Sequence, residues 1–322
     1  MRYLLLVLSL MSLLTAKADL SPLYTIQEKS MQSALSKDSL YLEGKVSYTT
    51  KPGPESFGQI SSLDLKTTKV FARNGNYKIV IPRSAKGIFF FQSGYQEVVI
   101  NLKEYSAFNH FKINIIAKEN RAVIMVEKPV IYLYSSEPVE TNLTLKPKGA
   151  LAFTYPKYND GWHIRTQKNG EILNLATKKK HPYLFWEAKQ TNVHFQEEDG
   201  KITAFVMDTD TVISFLETQL HSLGLNARES TDFITYWAPR LQVKKYATVQ
   251  FLIQEEYNDL FGTIQSSMPI DYQLRIGMLF EVSDRMPNIA MTTPTFNHMM
   301  ERNGFTLIEW GGAEIQNGIP SL

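Results

Sequence analysis

The chain has 322 residues, with 34 Lys plus Arg against 32 Asp plus Glu and no cysteine. Without thiols there can be no cysteine nucleophile, thiolate zinc site, cysteine-ligated iron–sulfur cluster, lipoprotein anchor or disulfide framework. Stability must come from burial, and a chain of this length can cover about 75% of its unfolded surface.

Residues 1–18 read as a secretory signal. Arg2 supplies a positive start, Tyr3 to Leu14 is an apolar run, and Ala16-Lys17-Ala18 has the small-x-small pattern of a cleavage site. The run is shorter than the roughly 20 residues that span a bilayer. The expectation is an exported protein (periplasmic, surface-bound or secreted) with no transmembrane segment in the mature chain. Cleavage would remove Arg2 and Lys17, leaving 32 basic and 32 acidic residues. A neutral chain lacks the overall basic field of a nucleic-acid binder, so no nucleic-acid partner is expected.

Residues 19–38 are polar. Leu23, Ile26, Met31 and Leu35 are spaced for a short amphipathic helical arm, diluted enough to serve as a linker instead. From Ser39 to Lys118 the pattern becomes short alternating runs: LYLEGKVSY, QISSLDL, KVFAR, YKIVIP, GIFFFQS, QEVVINL and HFKINIIA. Lys51-Pro52-Gly53-Pro54 is a loop by backbone chemistry, and Asn74-Gly75-Asn76 is a turn. Short strands at regular spacing predict a β-sandwich. The order GKV, NGNYKIVIP, GYQEVVINL resembles the carboxypeptidase-regulatory-like β-sandwich of many exported bacterial proteins. That resemblance implies a rigid spacer or interaction module over residues 39–118 and carries no catalytic motif.

Residues 119–322 form the second region. AVIMVEKPVIYLY is a β-prone run interrupted by Pro129, which predicts an edge strand or a bend between two strands. TNLTLKP, ALAFTYP, WHIRTQ, EILNLA and HPYLFWEA continue the pattern, with turns at Asn159-Asp160-Gly161 and Asn169-Gly170, and predict an antiparallel meander. The period then changes. Val212, Phe215, Leu216, Gln219, Leu220 and Leu223 mark one helix face, startable by Asp208 or Thr209 and ended by Gly224. A second helix after Asn226, with Glu229 at capping-box spacing, presents Phe233, Ile234, Trp237 and Leu241 until Pro239 kinks or ends it. Strands return at YATVQFLIQEE, LRIGMLFEV and FTLIEWGGAEI. The helix pair over Thr209–Leu241 must lie on an apolar surface, and the meander is its expected partner.

The series KPVIYLY, LAFTYPKYNDGW, YLFWEAK, DFITYWAPRL, EWGGAEI resembles a group of exported bacterial proteins of uncharacterised function. It implies that residues 119–322 are one unit, and it transfers no active site. The predicted fold class is therefore β-rich with two domains, an N-terminal β-sandwich followed by an α+β domain.

The sharpest chemical candidates are carboxylates beside tryptophans, Glu187 after Trp186 and Glu309 before Trp310. Opened into one cleft about 5–9.5 Å apart, they could act as acid and base or nucleophile in glycoside hydrolysis. The bland reading, two solvated glutamates on strands anchored by core tryptophans, is preferred. Glu255 continues the apolar face of Ala247–Ile253, so it either emerges into solvent, the preferred reading, or meets Arg240 or Arg275. The six histidines show no HExxH or close pair, and there is no GxSxG elbow or phosphate loop. No metal site or cofactor is predicted. Lys178-Lys179-Lys180 reads as a solvated turn, and Asn142-Leu143-Thr144 is a sequon. Trp162, Tyr158 and Tyr183, with Tyr155 and Trp186, could line a ligand-binding face, although core positions are the preferred reading for most of them. The functional expectation is a non-catalytic envelope binding protein for a glycan, peptide or envelope protein, with an envelope hydrolase using Glu187 and Glu309 as the alternative.

Overall fold

The computed structural model describes residues 22–50, 58–64, 70–72, 75–120, 123–198, 201–287, 291–296 and 301–316. The signal-like segment and the Pro52 loop lie outside the described residues. The fold is β-rich, with a helix pair in the C-terminal half.

Two four-stranded sheets build the N-terminal sandwich. One runs in the order β1 (Tyr24–Ser30), β8 (His110–Ala117), β2 (Ser39–Tyr48), β5 (Asn76–Pro82). The other runs β4 (Val70–Phe71), β3 (Gln59–Ser62), β6 (Gly87–Phe91), β7 (Val98–Asn101). Leu40, Leu42, Ile79, Ile81, Phe111 and Ile113 of the first meet Ile60, Ile88, Phe90, Val98 and Ile100 of the second. The helical arm or linker expected for residues 19–38 is corrected in part, because Tyr24–Ser30 pairs antiparallel with β8 as an edge strand. Isolated apolar spacing cannot reveal that an unpaired edge of β8 awaits it.

The run GIFFF is apolar throughout because β6 is covered on both sides. Ile88 and Phe90 face the sandwich core, whereas Phe89 and Phe91 join the core of the second region beside Val193 and Phe195. The Ser93 backbone N–H donates to Glu197 Oε1 at 2.6 Å across the same junction.

The second region is layered as helices on sheet on sheet. Its central seven-stranded sheet runs β11 (Ala150–Tyr155), β15 (Leu184–Gln190), β9 (Ile124–Tyr134), β23 (Thr306–Glu314), β21 (Tyr272–Ser283), β19 (Tyr246–Ile253), β18 (Phe205–Asp208). A five-stranded sheet, β14 (Lys180–His181), β13 (Ile172–Asn174), β12 (Trp162–Thr166), β10 (Glu140–Pro147), β20 (Gly262–Ser266), covers one face. A small sheet of β16 (Glu197–Glu198), β17 (Lys201–Thr203) and β22 (Met291–Thr292) lies apart from it. The expected single meander is thus replaced by two sheets. The chain passes from β10 in one sheet to β11 in the other and back to β12, so sequence-adjacent strands are often not paired.

The other face carries the helix pair, α1 (Val212–Ser222) and α2 (Ala227–Leu241). Asp208 caps the 3₁₀ turn that leads into α1, and Gly224 takes φ 86° after it. Asn226 and Glu229 close a full capping box on α2, which ends two residues beyond Pro239. Val212, Leu216, Leu220, Phe233, Trp237 and Leu241 bury against Val130, Tyr132, Ile276, Met278, Ile308 and Trp310 of the sheet.

Two strand expectations are corrected. Pro129 sits in the central strand β9, between β15 and β23, rather than at an edge or a break. The ladder is bulged on both sides of it, and Gly311 opposite makes room, since a Cβ there would lie 2.9 Å from the Pro129 Cα. The strand expected to reach Glu256 stops at Ile253. Gln254 turns at φ 53°, and α3 (Glu255–Phe261) begins with two acids at its N-terminus, where the helix dipole favours them. Glu255 therefore emerges into solvent.

At Gly312 the Trp237 side chain of α2 packs closely on the sheet. A Cβ there would lie 2.5 Å from the Met278 carbonyl oxygen and 2.9 Å from Trp237 Cζ2. Gly312→Ala is expected to destabilise the fold by about 1–3 kcal/mol, the range for overpacking. Urea unfolding checks this; an unchanged midpoint would mean that α2 does not seat on β23 as described.

Candidate functional site

Alternation along a strand sends neighbouring side chains to opposite faces of a sheet. Trp186 on β15 and Glu309 on β23 point between the two sheets, while Glu187 points to the helix side. The two carboxylates proposed for hydrolysis therefore lie on opposite faces of the seven-stranded sheet, and no cleft brings them together.

Glu309 is fully buried and anchors a polar network. Arg275 Nε donates to its Oε2 at 2.5 Å and Trp186 Nε1 to its Oε1 at 2.7 Å. Arg275 Nη1 continues to the Gly262 carbonyl at 2.7 Å and to the Asn258 side chain, and its guanidinium carbon lies 4.3 Å from the centroid of the Tyr257 ring. Burial pushes the Tyr257 hydroxyl well above the ordinary tyrosine range, with Glu309 adding to the effect, so this phenol stays neutral. The network joins both sheets and α3.

The aromatic candidates divide. Trp162 is buried between the sheets, its Nε1 donating to the Pro156 carbonyl at 2.8 Å. Half-buried Tyr158 stands edge-on to it at 5.0 Å and accepts the Leu145 N–H at 3.0 Å. These two seal the inter-sheet core. Tyr183 lies on the helix face, edge-on to buried Tyr132 at 5.6 Å.

Around Tyr183 the fold assembles a group of charges and rings with little trace in the sequence. Lys128 adopts φ 57°, a conformation that costs about 1–3 kcal/mol for a non-glycine residue. The resulting bulge turns Lys128 to the same side as its neighbour Glu127; strict alternation would drive the ammonium into the inter-sheet core. Lys128 Nζ instead lies 5.5 Å from the Tyr183 ring centroid, 5.4 Å from that of Phe185 and 5.3 Å from that of Tyr236. Tyr236 of α2 donates its hydroxyl to Glu127 Oε2 at 2.9 Å, and Arg240 stacks on the Tyr236 ring at 3.7 Å while facing the same carboxylate. Glu187 borders this cage. Burial first, then the nearby Glu127, raise its carboxyl above the ordinary glutamate range, partly offset by the Lys128 backbone N–H and charge.

The cage opens onto β11, an edge strand. Its register pairs Phe153 with Glu187 and Tyr155 with Phe185, and Tyr155 also lies edge-on to buried His181 at 5.2 Å. Phe153 is 54% exposed and Tyr155 56% exposed, although Phe153 packs edge-on against Phe185 at 5.8 Å. The site is therefore an open aromatic ledge with a caged ammonium beside it. Sequence reasoning included Tyr155, Tyr183 and Glu187 but missed Glu127, Lys128, Phe153, Phe185, Tyr236 and Arg240. A Lys-Pro step inside an apolar strand was the available signal.

Among the described residues, no group of three or more His, Asp or Glu side chains could hold a metal ion, and no helix is long and apolar enough to cross a membrane. No protein-family model matches the chain, and no significant similarity to a curated protein or a solved structure is found.

Breaking a buried ion pair from one side leaves an uncompensated charge. Glu309→Gln is expected to cost about 3–5 kcal/mol in urea unfolding. A loss no greater than that of a surface substitution would show that water reaches Arg275.

Glu187 has the opposite sign. Its folded-state carboxyl binds protons more readily than the unfolded one, so its contribution falls as pH rises from the ordinary glutamate range through the raised value. Glu187→Gln should unfold at an equal or higher urea concentration at pH 7, with the advantage shrinking toward pH 4.5. A destabilised variant at pH 7 would make the Glu187 carboxylate a structural partner of Lys128.

Proposed function

We propose that the protein is an exported, non-catalytic binding protein of the bacterial envelope, and that the ledge of β11 and β15 is its binding face. The observation that carries this reading is the exposure of Phe153 and Tyr155 on an edge strand. Large aromatics are normally spent on the core, which here already holds Trp162, Trp186, Trp237 and Trp310. Leaving two more in solvent beside a caged cation suits a surface that is covered by a partner. Export is supported by the signal-like pattern of residues 1–18, and the N-terminal sandwich serves as the module that presents the second region.

Arrays of peptidoglycan fragments, other glycans and peptides, probed with the purified chain and with Phe153→Ser/Tyr155→Ser, test the proposal. Specific binding by the wild type is expected, weakened by roughly thirtyfold or more in the double variant, as for loss of aromatic anchors. Undiminished binding by the variant, or uniformly blank arrays, would overturn it.

A further inference from the structure

The strand that carries the ledge has an unused edge. β11 pairs with β15 on one side, and among the described residues nothing pairs with the other. Its row of backbone donors and acceptors is thus open to a further strand. Exposed edges are usually guarded by a charge or a proline inside the strand. Ala150–Tyr155 contains neither, and Pro156 follows only after it ends. Leu151, Phe153 and Tyr155 are all more than a third exposed. A bulge between Leu151 and Phe153 is the one guarding feature within the strand.

The exposed charges that flank the strand along the chain, and at its start on β15, are lysines. Exposed Lys148 precedes the strand, exposed Lys157 follows it, and exposed Lys189 is paired with Ala150 at its start. None of the three makes an ion pair among the described residues. A cleft of about 610 Å³ opens at the same end, with Lys148, Lys189, Asn192 and exposed Val123 in its wall and Asp259 as its one acid. In that wall Gln190 Nε2 is held by the Leu260 carbonyl, while Gln190 Oε1 is buried without a partner.

We infer that β11 takes an extended, acidic segment of a partner protein as an added strand, with apolar side chains on Phe153 and Tyr155 and carboxylates at the flanking lysines. This rests on the reading of the ledge as the binding face and names its ligand class. A second copy of the chain is the rival occupant, and charge argues against it. Antiparallel self-pairing centred on Ala150–Tyr155 places Lys148 of one copy against Lys157 of the other, and parallel pairing stacks each lysine on its twin. Like charges facing across a ladder are unfavourable. An acidic strand turns the same positions into attractive pairs. Backbone hydrogen bonds would supply affinity, and alternate side chains with the end charges would supply selectivity.

The probe is a ten-residue fluorescent peptide of alternating Val and Thr with Glu at both ends, compared with the same peptide carrying Lys at both ends, in polarisation titrations with the full chain. The acidic peptide should bind at least about tenfold more tightly, an advantage that shrinks as added salt screens the end charges. Lys148→Glu/Lys157→Glu, both surface changes, should reverse the preference, and Phe153→Lys should abolish binding of both peptides while the circular dichroism spectrum stays unchanged. Equal binding of both peptides, or a preference that survives the charge reversal, would overturn the inference. So would concentration-dependent dimerisation abolished by Phe153→Lys, which would assign the edge to a second copy. If neither peptide binds while array ligands still depend on Phe153 and Tyr155, strand addition fails and the binding face stands; if the array dependence is also absent, both fail.

Discussion

Arg275 and Glu309 sit directly opposite one another on β21 and β23, the parallel pairing at the middle of the seven-stranded sheet. Hairpin neighbours have their register set by a short turn, but these strands are joined through residues 284–305 and have no such guide. The hydrophobic pattern is also a weak guide, because both faces of these strands are covered and nearly every residue is buried. A slip of one residue would put the two charges on opposite faces, each buried and unpaired. The pair therefore specifies register more than it adds net stability. Through Trp186, Asn258 and Gly262 it ties the position of β15, α3 and the second sheet to the same decision.

The exposed ledge follows from that arrangement. The helix pair packs on β9, β23, β21 and β19, and the sheet continues from β9 through β15 to the edge strand β11. Tyr236 and Arg240 form the last helical contacts on that side, holding Glu127 and framing Lys128. Phe153 and Tyr155 stand beyond β15 on the edge strand β11, where they are exposed. A bulge that rescues Lys128 from the inter-sheet core thus also places an ammonium at the margin of the exposed surface.

Local chemistry explains which expectations survived. The helix pair was readable because a 3.6-residue period, a Gly after α1 and the Asn226/Glu229 box are all short-range signals. The run of sandwich strands was readable for the same reason, and Glu255 reached solvent as expected. The burial of Glu309 was not readable, since a glutamate beside a tryptophan looks alike on a solvated strand end and in a sealed network. For Trp162 and Tyr158 the core was the preferred reading over a platform, and the placing of β10 and β11 in different sheets puts Trp162 between them. Pro129 looked like a break because its relief comes from Gly311, about 180 residues away in sequence and adjacent in space.

By itself the sequence determined the local elements: strand-forming alternation, the two helices and their caps, the turns, and a stability that must rest on packing without thiols. Tertiary structure alone decided partnership, namely which strands share a sheet, which face of each is covered, and which charges meet. The physical reason is range. Backbone propensity and capping act within a turn or two of the chain, whereas the burial of Glu309, the caging of Lys128 and the exposure of Phe153 depend on strands and a helix far apart in sequence.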